Sequence, residues 1–589
     1  MTSTGADSGA PSPRDDQTGA TSRSSGAVRT DQAASTRPHV NPWLSLTATL
    51  IAVFMQLLDV SIVNVALPSI STELGASFST LQLVITAYTL AFACTLITAA
   101  RLGDLYGRRK VFLLALASFT IASVLCGIAQ SPVELIGARF LQGLTAGMML
   151  AQTLAIITST FPAEQRGKVF GIYGATIGMA TILGPTLGGA LISWDVLGLE
   201  WRAIFLVNVP LGIIALLFGY RHLVDSRAES AQRLDLPGVG LSVLGLFLVV
   251  YPLAEGRERD WPTWLVLMLV ASVPVLLGFV LHEYRRGRRN DSPLVELRVF
   301  RDRAFSVGCV MALLFFSCLI SFFFTISLTL QAGFGFTALH SGLMTLPFAL
   351  GSAVASGSSN KVAQKLGSRV LIVGAGVLAV GLLSLSVVMN QQGTSPHWLA
   401  YAAPLLVSGA GLGLFIAPLQ TIILSEVKQE HAGSASGLLP TFQQLGGSVG
   451  LAVIGVLFFT FIGNQGQAAV QKVTPELTQQ VAASGLPTPA QSEIIGSFGT
   501  CAERRLSSAD PTSAPPGCEP ATAIPGSPQA QVGPALAAAG KEVGGQAFLQ
   551  GQRRTLWVFS GVLVVVMALA LALPRRTSGH GGPSRGTAA

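Results

Sequence analysis

The feature that most limits how this chain can fold is a series of apolar runs, each about 20 residues long, joined by polar connections. The runs fall at 46–67, 82–100, 111–130, 133–159, 169–192, 203–220, 238–254 and 264–282. Six more fall at 305–331, 341–357, 370–389, 398–424, 438–463 and 556–573. A run of that length crosses the hydrocarbon core as a helix, because a helix satisfies its own backbone polar groups there. Composition agrees: 50% of the 589 residues are hydrophobic and only 11% are charged. A soluble domain carries about 25% charged residues. The expected fold class is an all-α integral membrane protein with about fourteen transmembrane helices.

A net charge of +8 could suggest nucleic acid. The positive residues, however, sit in short connections between runs, so the expected partner is the lipid bilayer and not nucleic acid. Even-to-odd connections carry Arg101, Arg108, Arg109 and Lys110, then Arg166 and Lys168, then Arg221, Arg227 and Arg233. The connection after run eight holds Arg285, Arg286, Arg288, Arg289, Arg298, Arg301 and Arg303, and later ones hold Lys361, Lys365, Arg369 and Lys428. The odd-to-even connections hold little beyond Arg202, Arg257 and Arg259. The basic side is therefore expected in the cytoplasm, with both termini there, in a plasma-membrane protein.

Residues 1–42 are expected to be a disordered tail without a signal peptide, and 574–589 a second cytoplasmic tail. The stretch 464–555 then falls outside the cell, with short amphipathic helices near 474–484 and 535–550. A tolerated insertion and a partner-binding or gating segment are both open readings of it. Cys501 and Cys518 lie together in this stretch, where a disulfide and two free thiols are both open. Cys94, Cys126, Cys309 and Cys318 lie in apolar runs and read as inert small hydrophobes. No metal site and no cofactor are expected, and a monomer is.

The sequence repeats itself faintly. The loop from Arg101 to Arg109 is echoed by Lys361 to Arg369. Gly147, Glu164, Gly167 and Gly171 are echoed at one offset by Gly413, Glu430, Gly433 and Gly437. Two related six-helix halves explain both echoes. The expected organisation is a first half over 43–220, an extra pair and basic loop over 221–303, and five helices of the second half over 304–463. The outer stretch 464–555 and the last helix 556–573 follow.

Four stretches carry a family resemblance. They are Leu58 to Pro68 (LDVSIVNVALP), Arg101 to Lys110 (RLGDLYGRRK), Arg139 to Gly143 (RFLQG), and the glycine series Gly174, Gly178, Gly184, Pro185, Gly188 and Gly189. Trp201-Arg202, Asn208-Val209-Pro210 and Gly212 follow in the same order. With these the chain resembles the major facilitator superfamily, and within it the fourteen-span drug:proton antiporters. The last three stretches look like that superfamily's motifs A, B and C, with Ala100 where glycine is usual in motif A. The resemblance implies alternating access between two helical halves, small substrates and protons as partners, and a part for the arginine of motif B in proton coupling.

Asp59 is the one carboxylate deep within a run. A charged Asp at a helix centre costs about 2.5–3.5 kcal/mol on insertion scales, so it faces the bundle interior, meets water or takes up a proton. Desolvation disfavours the charged form of a carboxylate, which brings proton uptake towards neutral pH. The competing reading is a structural acceptor tying one helix to its neighbour. Arg139 needs an acceptor or an aqueous cavity, and Asp59 is the natural candidate. In motif A, Asp104 lies between Arg101 and Arg108/Arg109, with Gly103 and Gly107 allowing a tight turn. This reads as an ion-pair switch, or more plainly as a positive-inside loop. In motif C, glycines four apart permit close helix approach, and Pro185 can bend the helix into a pivot between halves. Glycines 409, 411, 413, 446, 447 and 450 read as a second seam. Gln56, Asn64, Gln142, Gln152, Asn208, Gln331, Gln420 and Gln443 are candidates to line a substrate cavity.

A proton entering down 100 mV yields about 2.3 kcal/mol, and a tenfold gradient costs about 1.4 kcal/mol. One membrane carboxylate thus suits neutral or monovalent, largely apolar substrates. Proton-driven export of hydrophobic drugs or secondary metabolites is the leading expectation. Export of an endogenous lipid, siderophore or amino acid is the alternative within transport, and a transport-inactive receptor or scaffold the alternative outside it. An enzyme is not expected, since no phosphate loop, zinc-ligand cluster or nucleophile motif stands out.

Overall fold

A computed structural model describes residues 41–573, except 77, 196–197, 226–233, 257–258, 260, 290–292, 426–431, 485, 508–517 and 519–527. The tails expected at the two termini lie essentially outside these residues. The helices of the first half are α1 (Pro42–Leu74), α2 (Phe78–Tyr106), α3 (Arg108–Gly127), α4 (Pro132–Thr160), α5 (Ala163–Ser193) and α6 (Asn208–His222). A helical lead-in, Glu200–Arg202 and Ala203–Leu206, precedes α6. An extra pair follows, α7 (Leu236–Glu255) and α8 (Thr263–Arg288). Then come α9 (Arg303–Leu328), α10 (Ala338–Leu366), α11 (Arg369–Gln392), α12 (Trp398–Ser425), α13 (Ala432–Ala482), α14 (Thr488–Ser507) and α15 (Pro528–Ala570). The fourteen apolar runs map onto α1–α13 and α15.

Local chemistry sets several helix starts. Ser131 caps α4 by accepting from the Glu134 N–H, while Glu134 accepts from the Gln130 N–H, with Pro132 in the first turn. Asp302 caps α9 through the N–H groups of Ala304 and Phe305, and Thr337 caps α10 through that of His340.

Among the described residues, twelve helices are long and apolar enough to cross a membrane. Helices α5 and α10, with 31 and 29 residues, are also long enough to span the hydrocarbon core. They pack against each other through glycines on α5 and serines on α10. A Cβ on Gly171 would sit 2.9 Å from the Ser356 carbonyl oxygen, and one on Gly178 would sit 3.1 Å from the Ser352 hydroxyl. Gly174 likewise faces Ser356, and Gly189 faces Leu339.

The repeat acquires a physical meaning here. Gly147 on α4 packs on the α2 backbone at Phe92, and Gly413 on α12 packs on the α10 backbone at Ser352. Gly171 on α5 packs on α10, and Gly437 on α13 packs on α2. Equivalent glycines thus make equivalent close approaches in the two halves. Glu164, Glu430 and Gly433, the other members of that echo, lie outside what is described.

Of the extra pair, α7 lies beside α2 and α13. Thr86 of α2 donates to Glu255 at the end of α7 (3.0 Å), and Cys94 to the Val243 carbonyl (3.7 Å). On α8, Leu267, Val270, Val273, Leu277 and Val280 are exposed, the composition of a lipid-facing surface.

The stretch 464–555 differs from its expected form. Helix α13 runs unbroken for 51 residues to Ala482, about 76 Å, more than twice the hydrocarbon thickness of about 30 Å. Helix α15 begins at Pro528, well before the last apolar run at 556. The physical reason is a second core beyond the lipid. Phe458, Ile462, Val470, Val473, Leu477 and Val481 of α13 keep a helical spacing and pack with Leu506 of α14 and Val543 and Phe548 of α15. A helix that is apolar on one face only resembles a polar loop when averaged along the chain. Cys501 of α14 and Cys518 are joined by a disulfide, Cα–Cα 5.5 Å.

Candidate functional site

Helix α1 carries Asp59 into the centre of the first half, where it is 0% exposed. Arg139 of α4, 1% exposed, donates Nη1 to Asp59 Oδ2 at 2.5 Å. Gln142 lies three residues further along α4, on the same face. It donates Nε2 to Asp59 Oδ1 at 2.9 Å and accepts from Arg139 Nη1 at 2.8 Å. Asn208, the first residue of α6, donates Nδ2 to Asp59 Oδ1 at 3.2 Å. Ser123 of α3 accepts from Gln142 and Asn208, both at 3.0 Å, and donates to the Phe205 carbonyl at 3.0 Å. The Arg139 guanidinium lies 4.2 Å from the Tyr88 ring centroid, and its Nε donates to the Val84 carbonyl at 3.4 Å.

Five helices thus meet at one ion pair. A buried pair is tolerated only when further hydrogen bonds satisfy both partners, and this one has them. Arg139 also keeps standing alternatives to Asp59: the Gln142 oxygen, the Val84 carbonyl and the Tyr88 face. Gly143 holds Tyr88 in place, since a Cβ there would sit 2.9 Å from the Tyr88 carbonyl carbon. Gly143→Ala is expected to destabilise the protein by about 1–3 kcal/mol, read as a lowered thermal unfolding midpoint in detergent.

At the basic end, Gly107 alone joins α2 to α3, with φ 100. A Cβ there would also fall 2.5 Å from an Asp225 carboxylate oxygen, so glycine is required twice over. Asp104 pairs with Arg108 at 2.9 Å, and Arg108 also donates to the Ala155 carbonyl at 3.4 Å. Arg109 turns away to the end of α6, donating to the Tyr220 carbonyl at 2.5 Å. Arg101 is half-buried one turn back, and its Nε has no hydrogen-bond partner among the described residues. The described network is narrower than expected, with Asp104 held by Arg108. Gln152 donates to the Ala99 carbonyl at 2.6 Å and lies against Gly103. It packs against this loop, and its Oε1 has no hydrogen-bond partner among the described residues. Gly437 of α13 brings its α-carbon within reach of Ala100: a Cβ there would lie 2.9 Å from that of Ala100.

The glycine series of α5 faces two ways. Gly174, Gly178 and Gly189 face α10, whereas Gly184 and Gly188 face Ser61 and Ile62 of α1. Pro185 lies outside the described side chains. The second expected seam is internal to the second half: Gly409 and Gly413 meet α10, Gly411 meets α11, and Gly446, Gly447 and Gly450 meet α9.

The family model described as Major Facilitator Superfamily matches residues 49–451. The chain belongs to this superfamily. A relative in Streptomyces coelicolor, a probable actinorhodin transporter, is 36% identical over 544 residues, 92% of this chain and 93% of its own length. The multidrug resistance protein Stp of Mycobacterium tuberculosis is 32% identical over 442 residues, 74% of this chain and 80% of that one. Among solved structures, a bacterial homologue of the human lysosomal transporter Spinster, inward-facing and unoccupied, matches with a TM-score of 0.51 at 16% identity. It covers 90% of this chain and 96% of that one, a likeness of fold. The chain is therefore a major facilitator of the drug-efflux type, a multi-pass membrane transporter and not an enzyme.

Within this major facilitator fold the other amides sort by their surroundings. Gln142 and Asn208 belong to the buried Asp59 network: both are 0% exposed and each donates to Asp59 Oδ1, while Asn208 Oδ1 has no hydrogen-bond partner among the described residues. Gln56 is buried beside Thr153 in a crevice too narrow for water. Gln331 donates to Ser327 at 2.7 Å, in a π-helical turn, Thr329–Gly333, at the end of α9. Gln420 Oε1 on α12 and Gln443 Nε2 on α13 are buried with no partner among the described residues. The side chain of Asn64 lies outside the described residues. Three buried acids escape the sequence reading: Asp235, just before an apolar run, and Glu255 and Glu283, which stand where the runs are taken to end, at 254 and 282. The usable signal was an Asp-Leu-Pro helix start at Asp235 facing a His-Glu pair in the last turns of the neighbouring run.

Proposed function

We propose that this transporter is a proton-coupled antiporter that exports hydrophobic drugs or secondary metabolites, neutral or monovalent, across the plasma membrane. The observation that carries this reading is the buried Asp59–Arg139 pair, joined to the drug-efflux type of the relatives. Asp59 is the proton carrier. When it takes a proton, Arg139 loses its counter-charge and moves onto Gln142, Val84 and Tyr88, which already contact it. When the proton leaves, the pair re-forms and draws α1, α4 and α6 together. The glycine–serine seam between α5 and α10 serves as the pivot. Gln420 and Gln443 offer an unmet acceptor and an unmet donor to polar substituents of a substrate, with Asn64 and Gln331 as further lining. The relatives named for actinorhodin transport and multidrug resistance favour compounds of that kind. The test is ethidium-induced proton release from inverted vesicles carrying the native chain. Its absence moves the substrate to a dedicated metabolite or lipid and removes support for drug antiport.

The Asp104–Arg108 pair is the switch of the cycle, made in the state described here and broken in the other. Asp104→Ala is expected to slow turnover about tenfold or more while changing substrate affinity less than threefold. Equal effects on both would reduce the pair to a fold determinant.

Both termini lie in the cytoplasm, and the helical layer of α14 and the outer parts of α13 and α15 lies outside the cell. After reduction, a membrane-impermeant maleimide should label Cys501 and Cys518 in intact cells and not in sealed inverted vesicles. The other four cysteines are buried, so the signal is specific. Labelling in inverted vesicles alone would reverse the orientation. Cys501→Ser is expected to destabilise this layer by about 3 kcal/mol, because the bridge closes a loop with a sequence separation of 17.

A further inference from the structure

The extra helix pair carries a polar cluster at its basic end that takes no part in the Asp59 network. Asp235 caps α7, its Oδ1 accepting from the Gly238 N–H at 3.1 Å. His282, near the end of α8, places Nε2 2.9 Å from Asp235 Oδ2 and 3.2 Å from Oδ1. Arg286 Nε lies 3.2 Å from Asp235 Oδ2. Glu283 is 1% exposed, and its Oε2 accepts from the Val295 N–H at 3.0 Å. Its other oxygen, Oε1, is buried and has no hydrogen-bond partner among the described residues. A carboxylate oxygen left so is expensive, and a second carboxylate beside it raises the expense.

Both carboxylates border one small space. A Cβ on Gly238 would fall 2.5 Å from Glu283 Oε1 and 2.7 Å from Asp235 Oδ2. Ligand atoms of Asp235, His282 and Glu283 all lie within 4.8 Å of one another. Arg286 offsets one of the two carboxylates, Asp235, and leaves Glu283 without a cationic partner among the described ion pairs, a place for a bound cation. Two carboxylates with one imidazole form a mixed oxygen–nitrogen set. That set suits zinc and its first-row neighbours, whereas calcium and magnesium prefer oxygen alone. The His282 side chain is 27% exposed, which leaves a water-facing position for a fourth ligand.

We propose that Asp235, His282 and Glu283 form a divalent-cation site of the zinc class, clamping α7, α8 and the connection through Val295 at the base of the extra pair. The site is structural or regulatory and independent of proton coupling. Its test uses the full-length protein, purified in detergent through a tag without histidine, stripped with chelator and dialysed against zinc chloride. Elemental analysis should find about one zinc per chain retained, and the thermal unfolding midpoint should rise with free zinc. Glu283→Gln and His282→Ala should each weaken retention about tenfold or more, while Asp59→Asn retains zinc as the native chain does. His282→Ala changes a part-exposed side chain and keeps the test decisive should Glu283→Gln fail to fold. Native protein that retains no zinc, or folded His282→Ala that retains it undiminished, overturns the site.

Discussion

Asp59→Asn should insert and fold, yet lower ethidium-induced proton release from inverted vesicles by about 100-fold or more. The amide cannot carry the proton, so exchange of proton for substrate has no currency. Folding survives because asparagine is isosteric. Its oxygen still accepts from Arg139, and the Gln142 amide can rotate to meet the new N–H group. Arg139 meanwhile retains the Val84 carbonyl and the Tyr88 ring. The measurement is the initial rate of proton release at matched membrane abundance. Full, pH-dependent export by the mutant would end the assignment of Asp59 as the proton carrier and leave it a structural acceptor.

The largest effect on stability is expected from Arg139→Ala, about 3–5 kcal/mol. Asp59 would remain 0% exposed, with amide donors from Gln142 and Asn208 but no counter-charge. The Tyr88 ring would also lose the cation stacked on it. The double variant Asp59→Asn/Arg139→Ala should be more stable than Arg139→Ala alone, because no uncompensated charge is then buried. Thermal unfolding of the native chain, both single variants and the double variant in one detergent closes the cycle. Additive losses would mean that the two groups do not act as a pair. Arg139→Lys should recover only part of the loss, since an ammonium matches the Coulomb term but lacks the planar fork that reaches Asp59, Gln142 and Val84 together.

These two effects share a cause, the same desolvation that made Asp59 and Arg139 conspicuous in the sequence. A lone charge in an apolar run is visible without any structure, because every neighbour in the chain is a poor partner for it. What the chain order hides is the partner. Asp59 and Arg139 are 80 residues apart, and Asp59 and Asn208 are 149 apart. Their meeting depends on how α1, α4 and α6 are rotated about their axes. The same blindness hides that Gln142 and Asn208 donate to Asp59. An amide inside an apolar run reads identically whether a substrate or a carboxylate satisfies it.

The motif glycines show the boundary from another side. Glycines four apart announce a close helix contact, yet not with which helix. Gly174 and Gly178 meet α10 of the other half, whereas Gly184 and Gly188 meet α1 of their own. Gly409, Gly413, Gly446 and Gly450 stay within the second half. A helix has several faces, and spacing selects a face without naming what lies opposite. Glu283 was hidden for a related reason: an acid at the end of an apolar run reads as solvated, and only the return of the chain at Val295 buries it.

The class of fold, the number of runs that become helices, the repeat that relates the halves and the two charges at the centre of the first half are legible in the chain alone. All of these follow from local hydropathy or from lone residues whose burial is costly wherever they point. The partners emerge only on folding: Arg139 for Asp59, Arg108 for Asp104, α10 for Gly174 and Gly178, and Asp235 for His282. The tertiary structure also decided the length of α13 and α15, because beyond the lipid a helix persists only where another helix covers its apolar face.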